Sequence, residues 1–279
     1  MAALGSYLDA RSVGGEWLIR IEDVDTTREI PGSADRIVEA LRLLGFQWTE
    51  PVVRQSTRTT LYATALKKLI AAGEAYFCSC SRTEIQSAQT TDSDADEMRY
   101  PGWCREGVRH AGRNLAVRLR VPFGSVCFED RIQGRTCHDV SREVGDFVIR
   151  RRDGLFAYQL AVAIDDASQD ITHVVRGADL LSSTPRQRVL QQLLGLPHPV
   201  YAHLPVATDR NGIKLAKSSG AAGLDLNRPG HEIWRALKFL RQHPPEELRA
   251  SALSEIWDWA IEHWDLTPLH GVRSQPAED

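Results

Sequence analysis

The chain has 279 residues, 42% of them hydrophobic and 25% charged, with a formal net charge of −3. That is enough material for one large domain or two small ones with a proper core. The balance excludes a nucleic-acid-binding polycation, no apolar run approaches the length of a membrane-crossing helix, and five cysteines do not make a disulfide framework. The odd cysteine count and the lack of a basic-then-apolar opening stretch point to a reducing compartment, with cytoplasm the expected location and a monomer the expected state.

Met1 to Arg11 reads as a helix already under way, with Leu4 and Leu8 on one face. Trp17-Leu18-Ile19-Arg20-Ile21 reads as a short strand after Gly14-Gly15. Pro31-Gly32-Ser33 opens a helix with Ile37, Leu41 and Leu44 as its apolar positions and Gly45 as its stop. A second helix runs from about Ser56 to Ala72 with Tyr62, Leu66 and Leu69 on one face, followed by Gly73 and a strand at Ala75-Tyr76-Phe77. Interleaved strands and helices predict an α/β sheet domain.

From about Cys78 to Arg113 the character changes, and Ala88 to Glu97 is polar, acidic and loop-like. Leu115, Val117, Leu119 and Val121 alternate with Arg118 and Arg120, which predicts a strand with one wet face. Phe147-Val148-Ile149 and Leu155-Phe156-Ala157-Tyr158 flank Asp153-Gly154, the pattern of a β-hairpin. This middle region reads as an insertion. Ile171 to Val175 is a buried-type strand, and Ser183-Thr184-Pro185 caps a helix through Leu190, Leu193 and Leu194 that Gly195 ends. Helices follow at Ile233 to Leu240 and Ile256 to Trp264, and the tail after Thr267 is expected to fray.

Four features carry chemistry. Cys78-Ser79-Cys80 and Tyr100-Pro101-Gly102-Trp103-Cys104 offer three soft ligands for Zn²⁺, with His110 a generic and Tyr100 a rarer candidate for the fourth position. Cys127 and Cys137 read as structural thiols. Glu22, Asp23 and Asp25 lie at the end of a strand, where an open α/β sheet binds ligands and a carboxylate can hold an ammonium; a capping and salt-bridging acidic loop is the competing reading. Arg176-Gly177-Ala178-Asp179 follows another strand, where the arginine can clamp a carboxylate or pair with Asp179. Tyr158 suits hairpin packing better than ligand contact. The glycine-bounded loop Gly212 to Gly220 carries Lys214 and Lys217, two ammonium groups suited to a polyphosphate. Arg150, Arg151 and Arg152, and Arg186 with Arg188, allow a local basic face. No GxxxxGK[ST], GxGxxG or HExxH pattern is present, so ATP, if used, is not held by a P-loop.

The lysine loop resembles the KMSKS loop of class I aminoacyl-tRNA synthetases, with Ala216 in place of the central serine. Ala157-Tyr158-Gln159-Leu160-Ala161-Val162, Asp165-Asp166-Ala167, Ile171 to Leu181 and Ser183-Thr184-Pro185-Arg186-Gln187, together with Arg20-Ile21-Glu22-Asp23, resemble the glutamate-specific members of that class. The short length and the cysteine cluster are similar to their shortened paralogues without an anticodon-binding domain. The resemblance runs from Met1 to about Trp264. It implies a Rossmann-type parallel-sheet catalytic domain (1–77 and 146–230), an inserted zinc-containing, acceptor-binding-like region (78–145) and a helical C-terminal region (231–279). It implies ATP-dependent activation of L-glutamate, with Mg²⁺ accompanying ATP, and transfer of the glutamyl group to the queuosine base of tRNA(Asp). In that pattern Glu22 holds the substrate ammonium and Tyr158 and Arg176 complete the glutamate pocket. Lys217, supported by Lys214, stabilises the departing pyrophosphate, and Cys78, Cys80, Tyr100 and Cys104 bind zinc. The family opens with a strand whose arginine and serine touch glutamate, then a HIGH-type loop that binds ATP. The present sequence starts within the next helix, so about twenty to thirty residues are expected to precede Met1. A start placed too late is preferred to a truncated, defective chain. The competing functions are charging of a tRNA 3′ end and non-catalytic tRNA binding by a zinc protein.

Overall fold

The structure, a computed structural model, describes residues 1–48, 51–88, 99–215 and 223–277. Helix α1 (Ala2–Arg11) buries Leu4, Tyr7 and Leu8. Strand β1 is confined to Arg20–Ile21 and pairs in parallel with β2 (Val53–Arg54), so the strand expected from Trp17 is shorter. Trp17 instead packs against Tyr7 and Phe46, with ring centroids 5.4 Å from each. Helix α2 (Ser33–Leu43) lies between β1 and β2 and follows Gly32, whose φ of 74° suits glycine. Ala34 and Val38 are buried, Leu41 packs on the core and Leu44 just after the helix is buried, as expected for the last two, whereas Ile37 is 51% exposed and lies off that face.

A 3₁₀ turn (Gln55–Arg58) leads into α3 (Thr59–Ala71), which buries Tyr62, Leu66 and Leu69 as its periodicity predicts. Strands β3 (Ala75–Cys78) and β4 (Ala116–Leu119) pair antiparallel, and the capping box of Ser81 and Glu84 starts the short helix α4 (Arg82–Ser87) between them. The wet face expected for β4 is absent. Arg118 is buried, its Nε 3.3 Å from Cys78 Sγ and its Nη1 donating to the Asp146 carbonyl at 2.7 Å, because the thiol cluster covers that face.

Strands β5 (Val126–Asp130) and β6 (Gly134–His138) form a hairpin, followed by α5 (Val140–Glu143) and by β7 (Val148–Arg150), which pairs antiparallel with β4. Cys127 and Cys137 face each other across the hairpin and form a disulfide, which corrects their reading as structural thiols. The cause is register: opposed residues of an antiparallel pair bring their Cα atoms together, here 4.1 Å apart.

The hairpin expected after β7 is reduced to one bridge between Arg150 and Phe156. Ala157 is extended, and Tyr158 is the first residue of α6 (Tyr158–Ser168) rather than a strand residue. Strand β8 (His173–Gly177), helix α7 (Thr184–Leu194) and β9 (Val200–Leu204) form a β–α–β unit whose strands are parallel, with a left-handed Gly195 ending α7. Val174, Val175 and His173 are more open than a buried strand would leave them. The four-stranded sheet has the order β6-β5-β9-β8, with β5, β9 and β8 mutually parallel.

Side chains alternate along β9. Ala202 and Leu204 join the core formed with α1, α8 (Pro229–Phe239) and α9 (Leu253–Glu262), while Tyr201 packs with Phe128 and Leu181 on the other face. Gly5 allows α1 to lie on that sheet, since a Cβ there would meet Leu204 Cδ1 at 2.5 Å. A second core gathers Tyr62, Leu66, Val117, Leu160 and Leu190 from α3, β4, α6 and α7. The described part of the tail, to residue 277, does not fray. Leu269 is fully buried, and β11 (Ser274–Pro276) pairs in parallel with β10 (Val206–Thr208), which satisfies backbone groups of both strands.

Candidate active site

Arg176 and His203 are register partners on β8 and β9, so their side chains project from the same face of the sheet toward α7. Arg176 is 8% exposed. Its Nε donates to His203 Nε2 at 3.1 Å, and its Nη2 donates to Thr184 Oγ1 at 2.8 Å and Gln187 Oε1 at 2.9 Å. No carboxylate among the described residues is in ion-pair contact with Arg176. The alternative partner, Asp179, instead takes Lys214 Nζ at 2.6 Å. A buried guanidinium held only by neutral groups retains unmet attraction for an anion.

The three carboxylates after β1 separate into different roles. Asp23 is buried and accepts from the Ser56 backbone N–H at 2.9 Å and the Ser56 hydroxyl at 2.7 Å, fixing the entry to α3. Asp25 pairs with Arg151 at 2.6 Å and Arg28 at 3.0 Å. Those two fit the structural reading of the acidic loop. Glu22 remains 3.5 Å from Arg20 and senses the charge of Arg176. Tyr158 senses both Glu22 and Arg176, so the N-terminus of α6 brings its phenol within electrostatic reach of both. Glu22, Tyr158 and Arg176 are thereby brought together.

Sequence reasoning missed Asp166, which joins this group from α6. Its Oδ1 accepts from Arg20 Nη2 at 2.7 Å, and it is 4% exposed. Burial raises the pKa of Asp166, and partial desolvation that of Glu22, whose side chain is 40% exposed, against the opposing pull of Arg20. Burial also raises the phenol of Tyr158. The adjacent Asp165 is structural: it takes Gln55 Nε2 at 2.8 Å, Tyr62 Oη at 2.6 Å and Arg58 Nε at 2.7 Å. Thr184 and Gln187 lay within the family-like run Ser183 to Gln187 but were given no role, and His203 escaped notice. A histidine amid the apolar strand Tyr201-Ala202-His203-Leu204 was the available signal.

Lys214 follows a turn closed by Asp209, whose Oδ1 accepts from the Asn211 and Ile213 backbones, with Gly212 at φ 80°. The turn and the bridge from Lys214 to Thr208 aim the lysine at Asp179, three positions after Arg176. Lys217, with the rest of the loop to residue 222, lies outside the described residues, as does most of the polar segment after Ala88.

Some distance along the chain, β3 and the loop before β4 bring Cys78, Cys80 and Cys104 together with every Sγ within 4.8 Å of the others. Cys80 and Cys104 Sγ are 3.6 Å apart, close to the ~3.8 Å edge of a tetrahedron with Zn–S bonds near ~2.3 Å. Tyr100 Oη is 3.3 Å from Cys78 Sγ and 3.4 Å from Cys80 Sγ. His110 turns its Nε2 to Glu84, 3.0 Å away, which leaves Tyr100 as the fourth group at the cluster. Burial opposes ionisation of Cys104, but hydrogen bonds from Tyr100 and the backbone of Arg109 and Ser79 outweigh it and lower its pKa to about 6, whereas burial pushes the neighbouring Cys80 thiol up to about 11. Three converging thiols, one favouring the thiolate, and a phenol oxygen fit a zinc ion.

Residues 1–227 match the family described as tRNA synthetases class I (E and Q), catalytic domain. The chain is 51% identical to the glutamyl-Q tRNA(Asp) synthetase of Dechloromonas aromatica (strain RCB), covering 99% of this chain and 93% of that protein. It is 47% identical to the protein of the same name from Pseudomonas paraeruginosa (strain DSM 24068 / PA7), covering 100% and 92%. Among solved structures it resembles glutamate-tRNA synthetase from Elizabethkingia anophelis, with TM-score 0.74 at 23% identity. It also resembles a glutamate tRNA ligase from Elizabethkingia meningosepticum in complex with its amino acid, with TM-score 0.75 at 23% identity. The chain covers 63% of each of those structures, and they show the fold. No helix among the described residues is long and apolar enough to cross a membrane. The match over 1–227 and the identity to whole relatives place the chain in the class I tRNA synthetase family of the E and Q type.

Proposed function

We propose that this protein activates L-glutamate with ATP and transfers the glutamyl group to the queuosine base of tRNA(Asp). The observation that carries the reading is Arg176: a buried guanidinium, held by neutral groups, within electrostatic reach of Glu22 and Asp166. An amino acid with a second carboxylate satisfies both signs of charge. Arg176 takes a carboxylate, Glu22 takes the ammonium, and Tyr158 completes the wall between them. The names of the relatives supply the acceptor.

In the reaction the α-carboxylate oxygen attacks the α-phosphorus of ATP, a P–O bond forms, and the bond to pyrophosphate breaks. A carboxylate nucleophile needs no general base, so positioning and charge stabilisation carry the rate. Lys214 and Lys217 are the cations assigned to the leaving pyrophosphate, with Mg²⁺ arriving with ATP. An acceptor oxygen of the queuosine base then attacks the glutamyl carbonyl, and AMP leaves. Cys78, Cys80, Tyr100 and Cys104 would hold a zinc ion, which would stiffen the segment between β3 and β4 without entering the chemistry.

The test is transfer of labelled glutamate, with ATP, to queuosine-containing tRNA(Asp). Labelling of that tRNA, and none of the same tRNA lacking queuosine, is the expected result. Labelling at the 3′ end of tRNA(Glu) would overturn it in favour of ordinary charging, and tRNA binding without glutamate binding would favour the non-catalytic reading.

A further inference from the structure

We infer that Asp130 and His203 are positioning residues for the substrate carboxylate: they fix, through one proton, which edge of the Arg176 guanidinium faces the pocket. The inference rests on the reading of Arg176 as the glutamate carboxylate clamp. It concerns two side chains that touch neither substrate nor ATP.

The proton's place follows from the partners. A guanidinium only donates, so His203 Nε2, 3.1 Å from Arg176 Nε, must accept. The ring therefore carries its proton on Nδ1, which donates to Asp130 Oδ2 at 2.6 Å, and the Thr184 hydroxyl, 3.2 Å from Nε2, is the donor in that contact while its oxygen accepts from Arg176. Both side chains are fully buried. Burial lowers the pKa of His203, which keeps the ring neutral and its Nε2 lone pair available. Burial alone would raise Asp130, but His203 and the backbone N–H groups outweigh it and hold the carboxylate below its ordinary value.

Asp130 cannot rotate to change this. Its Oδ1 accepts from three backbone N–H groups: Ile132 at 3.0 Å, Gln133 at 2.8 Å and His203 at 3.1 Å. On the other side, Arg176 Nε is taken by His203, and both Nη2 hydrogens by Thr184 and Gln187. Among the described residues nothing accepts from Nη1, so that edge is the one left for a ligand carboxylate. The chain of contacts reaches from the end of β5, in the segment read as an insertion, to the middle of the β8–β9 pair.

Asp130→Asn tests this with one atom changed. The three backbone donors require an oxygen at the Oδ1 position, so the new amide nitrogen must take the Oδ2 position and donate to Nδ1. The His203 proton then moves to Nε2, where it opposes Arg176 Nε–H. Expected are a glutamate KM and Kd at least tenfold higher, a smaller change in kcat, and an unchanged KM for ATP. A purely structural role would not produce that split. Imidazole ¹⁵N NMR, with His203 assigned by substitution, should show Nδ1 protonated in the wild-type chain and Nε2 protonated in D130N. A wild-type ring protonated at Nε2 overturns the inference even if D130N fails to fold. Equal glutamate affinity of wild type and D130N overturns the relay alone. A wild-type chain that binds no glutamate removes the pocket reading and this inference together.

Discussion

Lys214 Nζ lies 2.6 Å from Asp179 Oδ2, which ties the lysine loop to the turn that follows Arg176. The two groups are 57% and 37% exposed, so the pair adds about 0–1 kcal/mol to stability. Its consequence is for placement: it holds one ammonium beside the pocket and shares it with a carboxylate. Asp179→Asn should leave the thermal midpoint within about 2 °C and change the KM for ATP by roughly two- to fivefold, read by glutamate-dependent pyrophosphate exchange. An unchanged KM would assign the contact to the resting loop alone.

Arg176 offers the larger effect. Arg176→Ala should lower kcat/KM for glutamate by at least ~2 kcal/mol, the cost of leaving one member of a desolvated charge pair unmatched. Arg176→Lys should recover little, because an ammonium cannot satisfy His203, Thr184 and Gln187 in the plane of the guanidinium. Calorimetric titration with glutamate decides the matter. Full affinity in Arg176→Ala would make the arginine a core-bracing residue.

What the sequence could reveal of this site depended on distance along the chain. The face of α3 was legible in Tyr62, Leu66 and Leu69, and the end of α7 in Gly195, because helical spacing and a left-handed glycine are local signals. The family motifs marked Glu22, Tyr158 and Arg176. The partners of Arg176 were not legible. His203 lies 27 positions away, and Asp130 a further 73 from His203, joined only by sheet register. Tyr158 was assigned to a strand because Leu155 to Ala157 are apolar and α6 begins without a capping side chain. Arg118 alternates as a solvent-facing residue would, yet the thiol cluster across β3 covers it. The tail looked polar, but Leu269 and the pairing of β11 with β10 hold it.

The thiol cluster predicts about one Zn²⁺ per chain in protein purified without chelator, read by elemental analysis. Cys104→Ser should lose the metal. Removing the ion should lower the thermal midpoint, because metal binding to a site absent from the unfolded chain stabilises the fold. A metal-free preparation with the same midpoint would return Cys78, Cys80 and Cys104 to the role of buried thiols.

Gly45 joins the N-terminal half to the C-terminal helices. Its φ is 85°, and a Cβ there would meet Trp257 Nε1 at 2.6 Å. That indole donates to the Leu44 carbonyl at 3.0 Å, so it has little freedom to move. Gly45→Ala combines a left-handed backbone for a residue with a side chain and overpacking of a buried tryptophan. The expected cost is about 2–4 kcal/mol, seen in urea unfolding with the m-value unchanged. A cost below about 0.5 kcal/mol would mean that α9 shifts freely against α2.

Acid should weaken glutamate binding by a route separable from unfolding. Burial raises the pKa of Asp166, and partial desolvation that of Glu22, whose side chain is 40% exposed, so in the fold each takes up its proton at higher pH than in the unfolded chain. Their sign on stability is favourable in acid: the folded form binds these protons more tightly, so protonation does not unfold the chain. What is lost is the negative charge that meets the substrate ammonium. His203 acts in the opposite sense on stability, since its folded pKa is lowered and stability falls as pH drops below its unfolded value of about 6.5. Glutamate Kd should therefore rise as pH falls from neutral toward the carboxyl range in the wild-type chain, and begin to rise at higher pH than ordinary carboxyls would give. Glu22→Gln should bind more weakly at pH 7 yet show a flatter pH dependence, because one of the two titrating carboxyls is gone. Its thermal midpoint should fall somewhat more in acid than that of the wild type, because the favourable contribution of Glu22 is gone while the unfavourable one of His203 remains. If Glu22→Gln keeps the full pH dependence of glutamate binding, the ammonium is held by Asp166, and Glu22 serves Arg20 instead.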